Sequence, residues 1–356
     1  MKYIFFLMLP LLMASAVEAQ TNTSKLNKLF AELEANGEFN GSVIVAKGSD
    51  VIFKANIGFA DFENKIPVND STRFELASMG KQFTAMAIML LRESDQIEYD
   101  NSIQNYFPEL PYKEVTVRHL LTMSSGIPDY LNFSDSFDGK SILSNKDLIT
   151  FYNSKKPVLE FAPGDQFKYS NMNYVLLAEI IELVSKKPFA KFLKERIFIP
   201  LEMTNTTSYT TRFTKDDILT NYAYQYIKKE NQYLRTDYNE STKYIITTSG
   251  IEGDGSIVSN NSDLVKWTLA LTENKLVSKE TLAEAYTPYT LNNGNKSEYG
   301  FGIYLQKNEA WHWGGWPGIQ TSYTRYLDKD LVVIYLKNVE SRSWNWLKKF
   351  NKLTNK

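Results

Sequence analysis

The 356-residue sequence contains no cysteine. Disulfide frameworks, thiolate metal sites, iron–sulfur clusters and cysteine nucleophiles are excluded together. It has two histidines, His119 and His312, too few for a multi-histidine zinc or iron site. It has no surplus of positive charge: 40 basic residues against 41 acidic ones leave a net charge of −1. A nucleic-acid binder normally carries a basic excess, so nucleic acid is not expected as a partner. Beyond the first residues no apolar run is long enough to cross a bilayer. What remains is 43% hydrophobic and 23% charged, the composition of a folded chain rather than a disordered or fibrous one. The length allows one large domain or two moderate ones.

The first residues read as an export signal. Lys2 supplies a positive start, and Tyr3 to Met13 is apolar, broken only by Pro10. Val17-Glu18-Ala19 places small residues where a signal peptidase reads, with Gln20 as the first mature residue. Ala14-Ser15-Ala16 is a weaker alternative site. A membrane anchor is the competing explanation, but the run falls short of the ~20 residues a span needs. Without cysteine there is no lipoprotein anchor. We therefore expect a signal peptide over residues 1–19 and a mature protein, without a stable membrane span, that is periplasmic or secreted.

Residues 24 to 36 carry Leu26, Leu29, Phe30 and Leu33 on one helical face, and Gly37 suits the C-terminal end. Gly41 to Ala46 and Val51 to Ile57 read as a hairpin around Lys47-Gly48-Ser49-Asp50. From Met79 to Leu91 the chain is apolar on nearly every side, which predicts a fully buried helix. Helices are expected at Val175 to Val184 and Asp263 to Leu271. Residues 203 to 248 are polar and rich in Thr, Tyr and Asn, and predict irregular surface structure with little function of its own. Strands return at Gly300 to Leu305, Trp311 to Gly314, Ile319 to Leu327 and Leu331 to Lys337, and a last amphipathic helix is expected over 341–352. Strands at both ends with helices between predict an α+β fold. One antiparallel sheet is assembled from both chain ends and flanked by helices. A mainly helical subdomain is inserted over roughly 95–250, and a cleft is expected where it meets the sheet.

Three short patterns carry chemistry. In Ser78-Met79-Gly80-Lys81 a lysine one helical turn after a serine lies on the same face. A serine hydroxyl needs a neighbouring base to become a nucleophile. Burial disfavours the ammonium, so Lys81 can serve as that base. In Tyr169-Ser170-Asn171 the tyrosine is expected to be pushed towards phenolate by the nearby ammonium and to shuttle protons, while the asparagine holds a substrate amide. Tyr130-Leu131-Asn132 fits the same Y-x-N spacing and ranks second, because no helix follows it. In His312-Trp313-Gly314-Gly315 the glycines let a substrate or another backbone approach closely. The N–H of Gly315 would then join that of Ser78 in an oxyanion hole.

Together these motifs resemble the serine β-lactamase-like superfamily, in the branch of class C β-lactamases, D-alanyl-D-alanine carboxypeptidases and related esterases. S-x-x-K is a signature of that superfamily. The resemblance extends to Phe39-Asn40-Gly41-Ser42-Val43, His119-Leu120-Leu121-Thr122-Met123-Ser124-Ser125-Gly126-Ile127-Pro128-Asp129-Tyr130, Gly253-Asp254-Gly255-Ser256 and Tyr299-Gly300-Phe301-Gly302, and covers roughly residues 39 to 340. It implies that 20–356 form a single serine hydrolase domain acting on an amide or ester of a small molecule or peptide. Ser78 would be acylated, Lys81 its base and Tyr169 the proton relay. Asn171, His312, Gly314 and Gly315 would bind substrate, with no metal or cofactor.

One departure matters. The family's β-lactamases carry Lys-Thr-Gly where this chain has His312-Trp313-Gly314. Histidine is mostly neutral at pH 7 and attracts a substrate carboxylate poorly. Tryptophan adds bulk and removes a hydroxyl. A carboxypeptidase-like peptidase or an esterase is therefore expected ahead of a class C-like β-lactamase, and Trp311, Trp313 and Trp316 are candidates to line an apolar acyl pocket. A non-catalytic penicillin- or peptidoglycan-binding protein is the alternative from a different class. A Ser-His-Asp hydrolase lacks its G-x-S-x-G elbow here. Gly139-Lys140-Ser141 imitates the end of a phosphate loop, but Ser134 stands where glycine is required.

Overall fold

A computed structural model describes residues 23–137, 141–212, 219–230, 232–239, 242, 244–340 and 345–354. The expected signal peptide, Gly139 and Lys140, and the first residues of the expected last helix lie outside them.

Valine and isoleucine suit a pleated, two-sided surface, and the first strand is built from them. It is β1 (Gly41–Lys47), paired with β2 (Asp50–Ile57). Four strands from the far end of the chain complete the sheet: β3 (Tyr304–Gln306), β4 (Glu309–Trp316), β5 (Ile319–Tyr326) and β6 (Leu331–Lys337). Their order is β3-β4-β5-β6-β1-β2, with every adjacent pair antiparallel. The seam between the two ends is β1 against β6, with Val43 opposite Tyr335 and Val45 opposite Val333. This is the α+β arrangement expected from the pattern of elements.

Both faces of the sheet are covered, and the alternation of side chains sorts the core into two parts. Val43, Val45, Val333 and Tyr335 face α1 (residues 23–35), and Ile44, Ala46, Val332 and Ile334 face the helices on the other side. Of those helices, α4 (Asn261–Thr272) lies against β1 and β6, and α2 (Lys81–Glu93) and α3 (Asn171–Ser185) pack on each other in the same core. The last helix, α5 (Asn345–Thr354), lies beside α1, and its Trp346 and Phe350 join that side of the core. Phe30 of α1 is 2% exposed and touches the rings of Phe39, Phe53, Trp346 and Phe350, with centroids 5.2–6.2 Å away. Phe30→Ala leaves a cavity among four rings held by β2, α5 and the segment before β1. We expect a loss of about 3–5 kcal/mol, read as a lower urea midpoint with an unchanged m-value.

Several boundaries differ from the expected ones by a few residues, and three of them bear on the site. The buried helix starts at Lys81, and Ala77–Gly80 forms a separate 3₁₀ turn before it. From Lys81 to Leu91 every residue of α2 is buried. Helix α3 starts at Asn171, four positions before the clear apolar repeat, so Ser170 is its N-cap residue. Strand β3 is shorter than expected because Gly302 turns the chain at φ +73°. A side chain there would sit 2.8 Å from the Lys81 carbonyl oxygen. The 203–248 stretch is a larger correction. It contains the hairpin Tyr226–Lys229 and Gln232–Arg235 and the short helix Tyr244–Thr247. It also lines the cleft that contains Ser78. Among the described residues no helix is long and apolar enough to cross a membrane.

Candidate active site

The segment leading into the serine of the first motif is pinned at Leu76 from three sides. The Leu76 N–H donates to the Ile257 carbonyl at 2.8 Å, and the Thr321 hydroxyl of β5 donates to the Leu76 carbonyl at 2.8 Å. Strand β4 approaches so closely at Gly314 that a Cβ there would lie 2.0 Å from the same Leu76 oxygen. Ala77 then takes a left-handed conformation, φ +48°, which a non-glycine residue adopts at a cost of about 1–3 kcal/mol. This strained step turns Ser78 into the 3₁₀ turn that precedes α2. Residues three apart eclipse in a 3₁₀ turn, so Ser78 and Lys81 meet.

Lys81 is fully buried and donates three hydrogen bonds. Its Nζ reaches Ser78 Oγ at 3.1 Å, Asn171 Oδ1 at 2.8 Å and the Asp254 carbonyl oxygen at 2.6 Å. Three acceptors satisfy the three N–H bonds of an ammonium. Burial pulls the Lys81 pKa down to about 8, against the opposing fields of Asp254 and Asp129. About a tenth of the lysine is then the neutral amine at pH 7.

Tyr169 lies across the gap, its ring centroid 5.0 Å from Lys81 Nζ. Its phenol oxygen is buried and makes no hydrogen bond of ordinary geometry, although the Ser78 hydroxyl is near enough to oppose part of the effect of burial. Burial wins and pushes the phenol well above its usual range. The expected drift towards phenolate is therefore overturned: burial, reinforced by Tyr304, Asp254 and Tyr174, holds Tyr169 as the neutral phenol. Asn171 also differs from expectation. Its side-chain oxygen accepts from Lys81, and its nitrogen donates to Asp129 Oδ2 at 2.9 Å. It orients the lysine first, with one N–H left for a substrate.

His312 is 1% exposed. Its Nδ1 faces the Trp313 carbonyl oxygen at 2.7 Å and so carries the proton, and its Nε2 accepts from the Tyr299 hydroxyl at 3.1 Å. Burial, with the Lys81 charge behind it, pulls its pKa down to about 3. The imidazole is neutral, and both nitrogens are engaged. Gly315 lines the cleft beside Ser78, whereas Gly314 faces the Leu76 backbone. The substrate contact expected at Gly314 is therefore a packing contact. Trp313 is 52% exposed and covers Gly315, and Trp316 also lines the cleft. Trp311 instead stacks on Tyr304 with centroids 4.4 Å apart.

The cleft holds about 390 Å³. Several of its walls were missed in the sequence. Tyr130 is there, but its hydroxyl donates to Asp254 Oδ2 at 2.8 Å, so the second-ranked Y-x-N contributes a buried phenol and not its asparagine. Tyr209, Arg212, Ile245 and Thr248 come from the stretch read as functionally empty. Arg212 approaches Glu75 Oε2 at 3.3 Å and Asp237 Oδ1 at 3.8 Å. Their only sequence signal was the aromatic content of that stretch.

The Beta-lactamase family model matches residues 26–349. Penicillin-binding protein 4* of Bacillus subtilis (strain 168) is 37% identical over 329 residues, covering 90% of this chain and 73% of that protein. The crystal structure of a penicillin binding protein from Bacillus halodurans superposes with a TM-score of 0.78 at 26% identity, covering 91% of this chain and 98% of that one. EstCE1, a hydrolase with promiscuous acyltransferase activity, has a TM-score of 0.78 over 96% of this chain and all of its own, but at 19% identity it shares the fold alone. A family match along most of the sequence and the same fold lead to one conclusion: the chain belongs to the Beta-lactamase family.

Proposed function

We propose that the protein is a serine hydrolase that cleaves a neutral amide or ester through an acyl-enzyme on Ser78. The observation that carries this is the 3.1 Å contact between Ser78 Oγ and a buried lysine whose pKa is lowered to about 8. The neutral Lys81 amine takes the Ser78 proton as Oγ bonds to the substrate carbonyl carbon. The N–H groups of Ser78 and Gly315 stabilise the oxyanion. The C–N or C–O bond breaks as the Tyr169 phenol gives its proton to the leaving group, and the Lys81 ammonium restores that proton. Water then attacks the acyl carbon, releasing the acid and returning the proton to Ser78. Residues 1–19 direct the enzyme to the periplasm or out of the cell.

The charge of the cleft supports neutral substrates. A D-alanyl-D-alanine carboxypeptidase must hold a C-terminal carboxylate. His312 is uncharged, and Arg212 is already engaged by Glu75 and Asp237. Leu131, Ile245, Ile251, Trp313 and Trp316 offer an apolar surface instead. We therefore place esterase or amidase activity ahead of carboxypeptidase activity. A panel of a p-nitrophenyl ester, a D-amino-acid amide, a D-alanyl-D-alanine peptide and nitrocefin tests this order. The ester or amide is expected to turn over fastest, and nitrocefin at least about a hundredfold more slowly, a difference of roughly 3 kcal/mol in the barrier. Preference for the free-carboxylate peptide sinks the argument from charge. Intact mass after a fluorophosphonate and, separately, a penicillin separates enzyme from binding protein. An adduct lost in Ser78→Ala supports the enzyme, and no adduct from either reagent supports the binding module.

A further inference from the structure

Two carboxyl groups flank Lys81 that the acyl-transfer cycle above does not use. Asp254 holds the lysine by its main chain, with its carbonyl oxygen accepting from Nζ at 2.6 Å. Its half-buried carboxyl is aimed by Tyr130, which donates to Oδ2 at 2.8 Å. Asp129, next to Tyr130 in the chain, accepts from the Asn171 main-chain and side-chain nitrogens at 2.7 and 2.9 Å, and that asparagine then faces Lys81. One dipeptide, Asp129-Tyr130, thus fixes both the asparagine and the carboxylate beside the base.

We propose that Asp254, aimed by Tyr130, is the counter-ion of the ammonium that forms on Lys81 when it takes the Ser78 proton. This rests on the serine-hydrolase reading given above. In that step the Ser78 O–H bond breaks, the proton moves to the Lys81 nitrogen, and a positive charge appears on a side chain with no exposed surface. An isolated buried ammonium is costly, and a carboxylate held nearby lowers that cost. Burial raises the Asp254 pKa, and the Lys81 charge and the Tyr130 hydroxyl oppose that rise, so the carboxylate is favoured while the ammonium is present and the phenol donates to it. The other groups facing Lys81 supply less. His312 of β4 is neutral, and Tyr169 and Tyr174 present only ring faces, 5.0 and 5.7 Å away. Asp129 acts chiefly through Asn171, and its field on the lysine is weaker than that of Asp254. The Tyr130 phenol is itself held far above its usual pKa by burial, so it stays a donor to the carboxylate. Asp254 and Tyr130 are positioning residues: they act on substrate only through Lys81.

The test is the pH profile of kcat/KM for a p-nitrophenyl ester in the wild type, Asp254→Asn and Tyr130→Phe. Removing the counter-ion leaves an amine that loses its proton more readily but is a weaker base. In Asp254→Asn the acid limb is expected to move down by about one pH unit while kcat on the plateau falls about tenfold and KM stays put. Tyr130→Phe is expected to move the limb the same way by less, because the carboxylate loses its donor and protonates more easily. A merely structural role lowers the rate without moving the limb. Should Asp254→Asn fail to fold, Tyr130→Phe decides alone. An unmoved limb in folded variants that still react with a fluorophosphonate overturns the counter-ion and leaves the hydrolase standing. A wild type that neither reacts nor turns over ester overturns both.

Discussion

Lys81→Met is expected to lower kcat/KM for a p-nitrophenyl ester by about three orders of magnitude, the range set by losing a positioned general base. Methionine fills the same straight channel along α2, so the fold loses little packing. What disappears is the amine 3.1 Å from Ser78 Oγ. The wild-type pH profile makes the assignment specific. Lys81 must be neutral to accept the proton, and its pKa lies near 8. The rate therefore rises with pH up to about 8 and falls about tenfold per unit below it, as the fraction of free amine falls. In Lys81→Met that acid limb is expected to vanish with the activity. His312 contributes no limb in this range, because its pKa is near 3. Ser78→Ala is the companion: it loses both turnover and fluorophosphonate labelling, with circular dichroism unchanged. Full activity in either variant would falsify the pairing of serine and lysine.

The sheet was legible in the sequence because its strands carry the apolar residues that two covered faces require. β1 and β6 read as near-continuous valine and isoleucine, and that run is what packs between α1 on one side and α4 on the other. The contact between Ser78 and Lys81 was legible too, since Lys81 opens a helix with no polar face to expose it. The protonation state of Tyr169 was not. It depends first on how completely the phenol is buried, with Tyr304, Asp254 and Tyr174 adding to that effect and the Ser78 hydroxyl opposing it, and these groups arrive from distant parts of the chain. The 203–248 stretch was misread for a related reason. Its polar residues pair with each other and with Glu75 of the cleft wall, as Tyr222 and Gln225 do. Such pairing makes polar sequence into cleft wall, and hydropathy alone cannot show it. Gly314 was singled out correctly as a close-approach glycine, but the approaching group is the protein's own Leu76 carbonyl.

That last contact makes Gly314→Ala the second severe substitution. The new Cβ would stand 2.0 Å from the Leu76 oxygen and 2.4 Å from Thr321 Oγ1. Neither can yield cheaply. The oxygen is backbone, and the threonine hydroxyl is bonded to that same oxygen at 2.8 Å. Strand β4 or the Leu76–Ser78 segment has to move by about an ångström, and misplacing a reacting group by that much costs about 10²-fold in rate. We expect kcat/KM to fall by about that factor, with a stability loss of about 1–3 kcal/mol from the overpacked contact. Gly315→Ala is the control. The three atoms nearest its Cβ would all belong to the Trp313 ring, the closest 2.6 Å away, and that half-exposed side chain can swing aside. Gly315→Ala is expected to keep activity within about tenfold of wild type, because a side chain relaxes where backbone cannot. Equal losses at the two neighbouring glycines, measured on folded protein with the same ester, rule out the Leu76 clash as the cause.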